Sequence, residues 1–299
     1  MSEPPDSPYS PGLIDLHSHT NESDGSFTPE ELVRLAKETG LDALGITDHD
    51  TIAGYTKALP FAHDAGLDLV CGIELNTKLQ LSDRPETRSV HLLAYFPVTA
   101  PSTEFMAWLL GQQDERRRRN RDLVEALKGQ GIDISLSEIE ARGRSLAGRP
   151  HFARILVEKG YAADHEDAFL RFIGEDAPSF VQRQSIIIEN AIQIVRQGGG
   201  VSVIAHPIRL QLQRDAEEKV LARLKQVGLA GLEVYHSEHS PEAQAHYRQL
   251  AEKLELLPTG GSDFHGRAKP NVKLGAGLNG NLRVPRAFLD GLRQYTERE

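Results

Sequence analysis

The sequence predicts an α/β protein of βα units around a parallel sheet or barrel, interrupted by a helical insertion. Three observations predict it. Short apolar runs alternate with amphipathic helical stretches in two outer segments. Between about residues 101 and 188 almost no β-rich run appears. Histidines and carboxylates, in a chain with 12 histidines among 299 residues, fall at the ends of successive predicted strands.

Taken in order, residues 1–11 carry four prolines among polar residues and are expected to be a disordered tail. Leu13 to His17 is a short apolar run that reads as the first strand. Thr28 to Gly40 reads as a helix, with Thr28 as N-cap, Pro29 at the first turn, Glu31 closing a capping box and Gly40 as terminator. A strand at Ala43 to Thr47, a helix near Ile52 to Ala65, and strands at Leu69 to Ile73 and Val90 to Phe96 complete the first outer segment. Helical patterns then follow one another: Thr103 to Gly129, Ser137 to Ala141, His151 to Lys159 and Glu166 to Phe172. The βα rhythm resumes with a helix at Ile188 to Gln197, a Gly198-Gly199-Gly200 turn and a strand at Val201 to Ala205. A helix at Asp215 to Val227, a strand at Gly231 to Tyr235, a helix at Pro241 to Leu254 and a strand and loop at Leu257 to His265 finish it. Residues 12–100 and 189–299 are thus expected to form one split domain, with 101–188 as a small helical insertion.

Composition excludes several classes. With 34 basic against 43 acidic side chains the net charge is −9, which argues against a broad phosphate-neutralising surface for duplex nucleic acid. The single cysteine, Cys71, forms no internal disulfide and fits a reducing compartment. Apolar runs such as Val201 to Ala205 fall far short of the ~20 residues of a spanning helix. The polar, acidic N-terminus does not read as a secretory leader. The expected location is the cytoplasm, with no membrane contact.

The chemistry lies at the strand ends. His17 and His19, two apart on a strand, share one face of the pleat, with Asp15 one step deeper on the same side. Asp24 returns over the same mouth in a loop that Gly25 allows to turn. His49 follows the second strand, Glu74 the third, His91 opens the fourth, and His206, Asp263 and His265 follow later ones. In βα barrels the C-terminal strand ends share the face that holds the active site. Each residue alone has a plain structural explanation, but their recurrence at one end of successive strands points to a metal cluster. Imidazole and carboxylate donors without thiolate suit zinc, manganese or iron, and nine candidates exceed the needs of one ion, with Glu74 placed to bridge. Other site types are weak: Gly198 to Gly200 precedes a strand, unlike a phosphate-binding loop, and Cys71 has no activating neighbour in sequence. His63, His165 and His246 fall on predicted helices and are expected at the surface.

The ordered set Asp15 to His19 (DLHSH), Ser23-Asp24-Gly25, Thr47-Asp48-His49-Asp50, Gly72-Ile73-Glu74, His91, Ala205-His206-Pro207 and Gly261 to His265 (GSDFH) resembles the polymerase-and-histidinol-phosphatase (PHP) family of metal-dependent phosphoesterases. The resemblance spans both outer segments. It implies a distorted (β/α)7 barrel with a trinuclear centre, manganese being the leading metal and zinc or iron the alternatives. The positions matching the family's ligands are His17, His19, Asp24, His49, Glu74, His91, His206, Asp263 and His265. Within and after the insertion, Gly148 to Ile155 (GRPHFARI), Pro178 to Val181 and Leu232 to Ser240 (LEVYHSEHS) resemble the subgroup that removes phosphate from nucleoside 3′,5′-bisphosphates, and its relatives that trim short RNA from a 5′-monophosphate end. Phe180 stands where that subgroup often has Tyr.

The resemblance implies hydrolysis of a phosphate monoester by a metal-held hydroxide, the 3′-phosphate of nucleoside 3′,5′-bisphosphates being the first expectation. A 5′-to-3′ exoribonuclease on short RNA is the alternative; a histidinol-phosphate phosphatase, a non-catalytic metal- or nucleotide-binding regulator and an amidohydrolase stand further back. The expected partner is a small anionic nucleotide or short oligonucleotide. Arg149 and His151 precede a predicted helix, where a guanidinium and backbone N–H groups can hold a phosphate that is not cleaved. Arg209 is a further phosphate-contact candidate. His239, in a loop after a strand, is a candidate general acid, with an exposed loop residue as the plain alternative. Arg116 to Arg119, followed by Arg121, spans more than one helical turn, so a solvated helix face is the default and recruitment of an anionic substrate the alternative.

Overall fold

The computed structural model describes residues 12–81, 87–143, 146–182 and 186–298; the proline-rich segment 1–11 lies outside them. The first outer segment comprises β1 (Leu13–Asp15), α1 (Pro29–Glu38), β2 (Ala43–Ile46), α2 (Ala53–Ala65), β3 (Asp68–Gln80) and β4 (Thr87–Phe96). The capping box at α1 forms as expected: Thr28 Oγ1 accepts the Glu31 N–H at 3.2 Å, and Glu31 accepts the Thr28 N–H at 2.8 Å. The insertion holds α3 (Thr103–Gly129), α4 (Leu136–Gly143), α5 (Arg149–Glu158) and α6 (His165–Ala168). The return is made by β5 (Ile186–Ile187), α7 (Ile188–Gln197), β6 (Val201–Ile204), α8 (Arg214–Gln226), β7 (Gly231–His236), α9 (Pro241–Lys253) and β8 (Leu257–Gly261). A small ribbon of β9 (Val272–Lys273) and β10 (Gly277–Leu278), then β11 (Val284–Pro285) and α10 (Ala287–Thr296), end the chain.

The strands follow the order β11-β1-β2-β3-β4-β6-β7-β8. Closure is made past the ends of β1 and β8, where Leu16 donates to Gly260 O at 3.1 Å, Asp263 donates to His17 O at 2.8 Å and Ser18 bridges Phe264. The result is a nearly closed, distorted barrel. Apolar residues on one face of the strands, Ile73, Leu92 and Ile204 among them, pack beneath α7 and α9 in one cluster, while residues of the opposite face, Leu93 and Val203 among them, gather with Ile14 and with Leu289 and Leu292 of α10 in another. The helix α3 is divided between two cores. Phe105 and Leu109 belong to the barrel's cluster, while Leu123, Val124 and Leu127 join Phe152, Leu156 and Ile173 in a cluster of the insertion's own.

Two elements differ from expectation. The third strand does not stop at Ile73: β3 runs 13 residues, because Leu75, Thr77 and Leu79 alternate inward between polar neighbours, a half-buried pattern rather than an apolar run. Its partner β4 is antiparallel to both β3 and β6. That reversal goes with an extension of the β3–β4 pair beyond the mouth where the other strands end, which His91 reaches from the middle of β4. The last expected helix of the insertion gives way after α6 to a wider π turn over Phe169–Ile173, a distortion frequent at functional sites. Among the described residues no helix is long and apolar enough to cross a membrane.

Candidate metal centre

Two fully buried aspartates shape the loops before any ligand is placed. Asp15 accepts the backbone N–H groups of His17 at 3.1 Å, Ser262 at 2.9 Å and Gly275 at 2.8 Å, so it ties the first strand to the loop after the last. Asp48 accepts from Thr20 N at 2.8 Å, Thr20 Oγ1 at 2.6 Å and Ser23 Oγ at 2.6 Å, which pins the loop carrying Asp24. A side chain at Gly25 would run into the backbone of His19 and Thr20, and one at Gly261 into that of His17. The strands can close only because these positions are bare.

On this frame all nine expected ligands converge. Among these nine, donor atoms within 4.8 Å of one another form three overlapping groups: His19, Asp24, His49 and His265; His17, His19, Glu74 and Asp263; and His49, Glu74 and His91. His206 joins through Nε2, 2.9 Å from Glu74 Oε1. Glu74 therefore sits at the hub, with His91 Nδ1 at 2.5 Å, His19 Nε2 at 3.1 Å, His49 Nδ1 at 3.3 Å and His17 Nε2 at 3.4 Å.

The arrangement fits metal ions. His17 Nε2, His19 Nε2 and His49 Nδ1 are buried with no hydrogen-bond partner, a costly state for polar atoms. Each points at carboxylate oxygens 3.1–3.6 Å away, close to the ~3.3 Å that separates two donors on one tetrahedral ion with bonds near 2.0–2.1 Å. Burial opposes charge on Glu74, but His91, His49 and His17 outweigh it and hold the carboxyl well below its usual range. Asp24 is likewise held down against burial by His265 and His49, and Asp263 by Lys269 and His265. Burial also disfavours charge on His19, yet Asp263 and Glu74 raise it to about 9; at His49 and His206 burial prevails and holds them at about 4 and about 3. Ionised carboxylates facing imidazoles, of which His49 and His206 are held neutral, form a donor set for divalent cations, and an ion binding there takes the place of the proton on His19.

A cavity of about 190 Å³ is lined by the candidate ligands Asp24, His49 and His91 together with Arg149, Arg116 and Lys78, the last two paired with Asp50 and Glu175. The Arg149 guanidinium lies 5.8 Å from the Phe169 ring and 5.9 Å from the Phe180 ring. The solvated-face expectation for the arginine run does not hold for Arg116 and Arg119, which are buried. Arg116 Nη1 bonds Asp50 Oδ2 at 2.8 Å and its Nε bonds Ala147 O at 3.0 Å, joining the insertion to the loop that carries His49.

Other candidates land elsewhere. His151 is buried at the start of α5, where its Nδ1 accepts the Gly148 N–H at 3.0 Å, a helix-capping contact rather than a place on the cavity wall. Arg209 is committed to Glu238 at 2.9 Å and Asp263 at 3.0 Å, and borders a second cavity of about 200 Å³ with His91 and His206. The general-acid role expected for His239 is not met. Its side chain has no solvent exposure, its ring packs on His236 and Tyr247, its Nδ1 bonds Val234 O at 2.8 Å, and burial holds it down to about 4. Of the histidines expected at the surface, His63 and His165 are exposed, while His246 is partly covered and bonds Glu217 at 2.8 Å. Glu233 and His236, both buried beside the ligands, were missed as site residues. A lone carboxylate within the apolar strand GLEVYH was the available signal.

Residues 15–175 match the PHP domain. Over 272 residues the chain is 34% identical to the 5′-3′ exoribonuclease Rnm of Escherichia coli (strain K12), covering 89% of both chains. Over 256 residues it is 28% identical to the 3′,5′-nucleoside bisphosphate phosphatase of Chromobacterium violaceum, covering 84% of this chain and 87% of the other. A solved Bifidobacterium adolescentis structure classed as a metal-dependent phosphoesterase aligns with a TM-score of 0.78 at 32% identity, over 95% of this chain and 96% of that one. The barrel, the buried donors around Glu74 and the agreement over most of the chain lead to one assignment: the chain belongs to the PHP domain family.

Proposed function

We propose that this metal-dependent phosphoesterase acts on a phosphate monoester, removing the 3′-phosphate of nucleoside 3′,5′-bisphosphates to leave the nucleoside 5′-monophosphate. The observation that carries this reading is the cavity lined both by the candidate ligands Asp24, His49 and His91 and by the guanidinium of Arg149. Two separate places for negative charge suit a substrate with two phosphates. The likeness to the Chromobacterium violaceum bisphosphate phosphatase supports it.

The ions, three and of manganese in this reading, would be held by His17, His19, Asp24, His49, Glu74, His91, His206, Asp263 and His265. When bound, such ions neutralise phosphoryl oxygens and make water acidic enough to attack phosphorus near neutral pH. The chain's own residues position the substrate. Arg149 holds the phosphate that is not cleaved, its guanidinium set against Phe169 and Phe180. Residues 101–188 act as a substrate-binding cap on the barrel of residues 12–100 and 189–299. The Arg116–Asp50 pair fixes the distance between Arg149 and the ligands, and a misplacement of that distance is costly in rate.

The test is release of phosphate from adenosine 3′,5′-bisphosphate and from adenosine 5′-monophosphate by the manganese-loaded protein. The bisphosphate should react far faster; equal rates would sink the assignment. One observation favours a second reading. The cavity of about 200 Å³ beside His91, His206 and Arg209 adjoins the first at Ser89 and His91 and would extend the site toward a nucleotide beyond a scissile phosphodiester, as a 5′-to-3′ exoribonuclease requires. Stepwise release of mononucleotides from a 5′-phosphorylated RNA oligomer would establish that activity.

A further inference from the structure

Two of the expected ligands are held from behind by one carboxylate. Glu233, in β7, has no solvent exposure. Its Oε1 lies 2.9 Å from His17 Nδ1, and its Oε2 accepts the His206 backbone N–H at 2.6 Å. An ionised carboxylate only accepts hydrogen bonds, so His17 carries its ring hydrogen on Nδ1. A neutral His17 ring is then bare at Nε2, and Nε2 faces Glu74 at 3.4 Å and Asp263 at 3.6 Å. The second contact works on the backbone. His206 has φ 28°, in the left-handed region that non-glycine residues avoid, and it immediately precedes Pro207, which narrows its options further.

The neighbouring ring shows the contrast. His236 Nδ1 accepts the Glu238 N–H at 3.1 Å, so its neutral ring carries the hydrogen on Nε2, aimed at Asp263 Oδ2 at 3.4 Å. His17, Glu233 and His236 form a metal-type group by proximity alone, but Glu233 is engaged by two N–H donors and His236 presents a hydrogen. They do not enclose an ion.

We propose that Glu233 is a positioning residue of the metal centre: it fixes His17 in the Nδ1–H tautomer, so that Nε2 is free to ligate, and it pins the strained backbone of His206. This rests on the metal-centre reading above. Glutamine at 233 has a single acceptor oxygen. The His206 N–H cannot give up its donor role and takes that oxygen; the amide NH2 then faces His17 Nδ1 and drives the ring hydrogen to Nε2, where an ion must bind.

The test uses full-length protein loaded with zinc and 15N-labelled at histidine, the His17 signals being assigned by their loss in His17→Gln. In the wild type, His17 Nδ1 should be protonated and Nε2 should carry the shift of a metal-ligating nitrogen. Glu233→Gln should weaken manganese binding by about 10–100-fold while keeping the circular dichroism spectrum of the metal-free wild type. Manganese bound equally tightly by Glu233→Gln overturns the proposal. So does an unprotonated His17 Nδ1 in the wild type, a result that stands even if the variant fails to fold. A wild-type protein that takes up neither metal overturns instead the metal-centre reading on which the proposal rests.

Discussion

A guanidinium flanked by two phenyl rings is only partly hydrated. Burial pulls the Arg149 pKa down, and Glu175 only partly offsets this, so an arriving phosphate meets a cation already partly stripped of solvent. Arg149→Ala should therefore raise KM for a nucleoside bisphosphate about 10- to 100-fold, the equivalent of the ~1.5–3 kcal/mol of a charged hydrogen bond. Initial-rate kinetics check this, and an unchanged KM would remove Arg149 from the substrate site. Among single residues, the convergence of the nine candidate ligands was legible in the sequence because they are chemistry-bearing side chains repeated at strand ends, where little else explains them. Arg116 and Arg119 were misread because four successive arginines spread around a helix. Three apart, those two share a face, and that face, with Asn120, happens to be covered. His239 was misread for the same reason: a loop position says nothing about what packs over it. Glu233 is a single carboxylate whose role depends on His17, 216 residues away.

At the scale of elements, α3 is locked to the loop after β2 by a buried ion pair. Removing one partner of such a pair leaves a stranded charge, at a typical cost of about 3–5 kcal/mol. Arg116→Met should fall near the low end, because Asn76 still donates to Asp50 at 3.2 and 3.0 Å. Urea unfolding measures it. Asp50→Asn combined with Arg116→Met should cost less than the two single changes summed; strict additivity would mean the pair is not coupled. A second clamp holds α10 to the start of β3, where Asp68 receives Arg293 at 2.7 and 3.0 Å as well as Arg286. Burial raises the Asp68 pKa, but these guanidinium contacts outweigh it and lower the pKa below 3.8. A depressed carboxylate stabilises the fold above its unfolded pKa and loses that contribution as pH falls through the folded value. The stability gap between wild type and Asp68→Asn should thus be full at pH 6 and shrink below about pH 3.8; a gap independent of pH would contradict the clamp. Helix starts such as Thr28 were legible, since capping is local chemistry. The direction of β4 was not, because β3 was cut short at Ile73. With β3 reaching Gln80, too few residues remain before Thr87 for a parallel crossover, which needs a dozen or more.

For the whole molecule, the rhythm of strands and helices was enough to reveal a barrel split by a helical segment. How the insertion leans on the barrel was not, because it depends on buried polar contacts such as Arg116 with Ala147 and Asp50. Buried carboxylates clustered in a chain of net charge −9 repel one another until cations neutralise them. Chelation should accordingly lower the melting temperature by roughly 5–10 °C relative to protein with metal at about 100 times its Kd. Calorimetry with and without chelator checks this, and identical curves would mean that the donors hold no ion. The seam between β1 and β8 has a consequence in time. His17 and His19 are synthesised more than 240 residues ahead of their partners Asp263 and His265, which share their donor groups. A nascent or truncated chain ending before residue 263 holds only part of the donor cluster, so the centre can assemble only after the last strand of the barrel has been made.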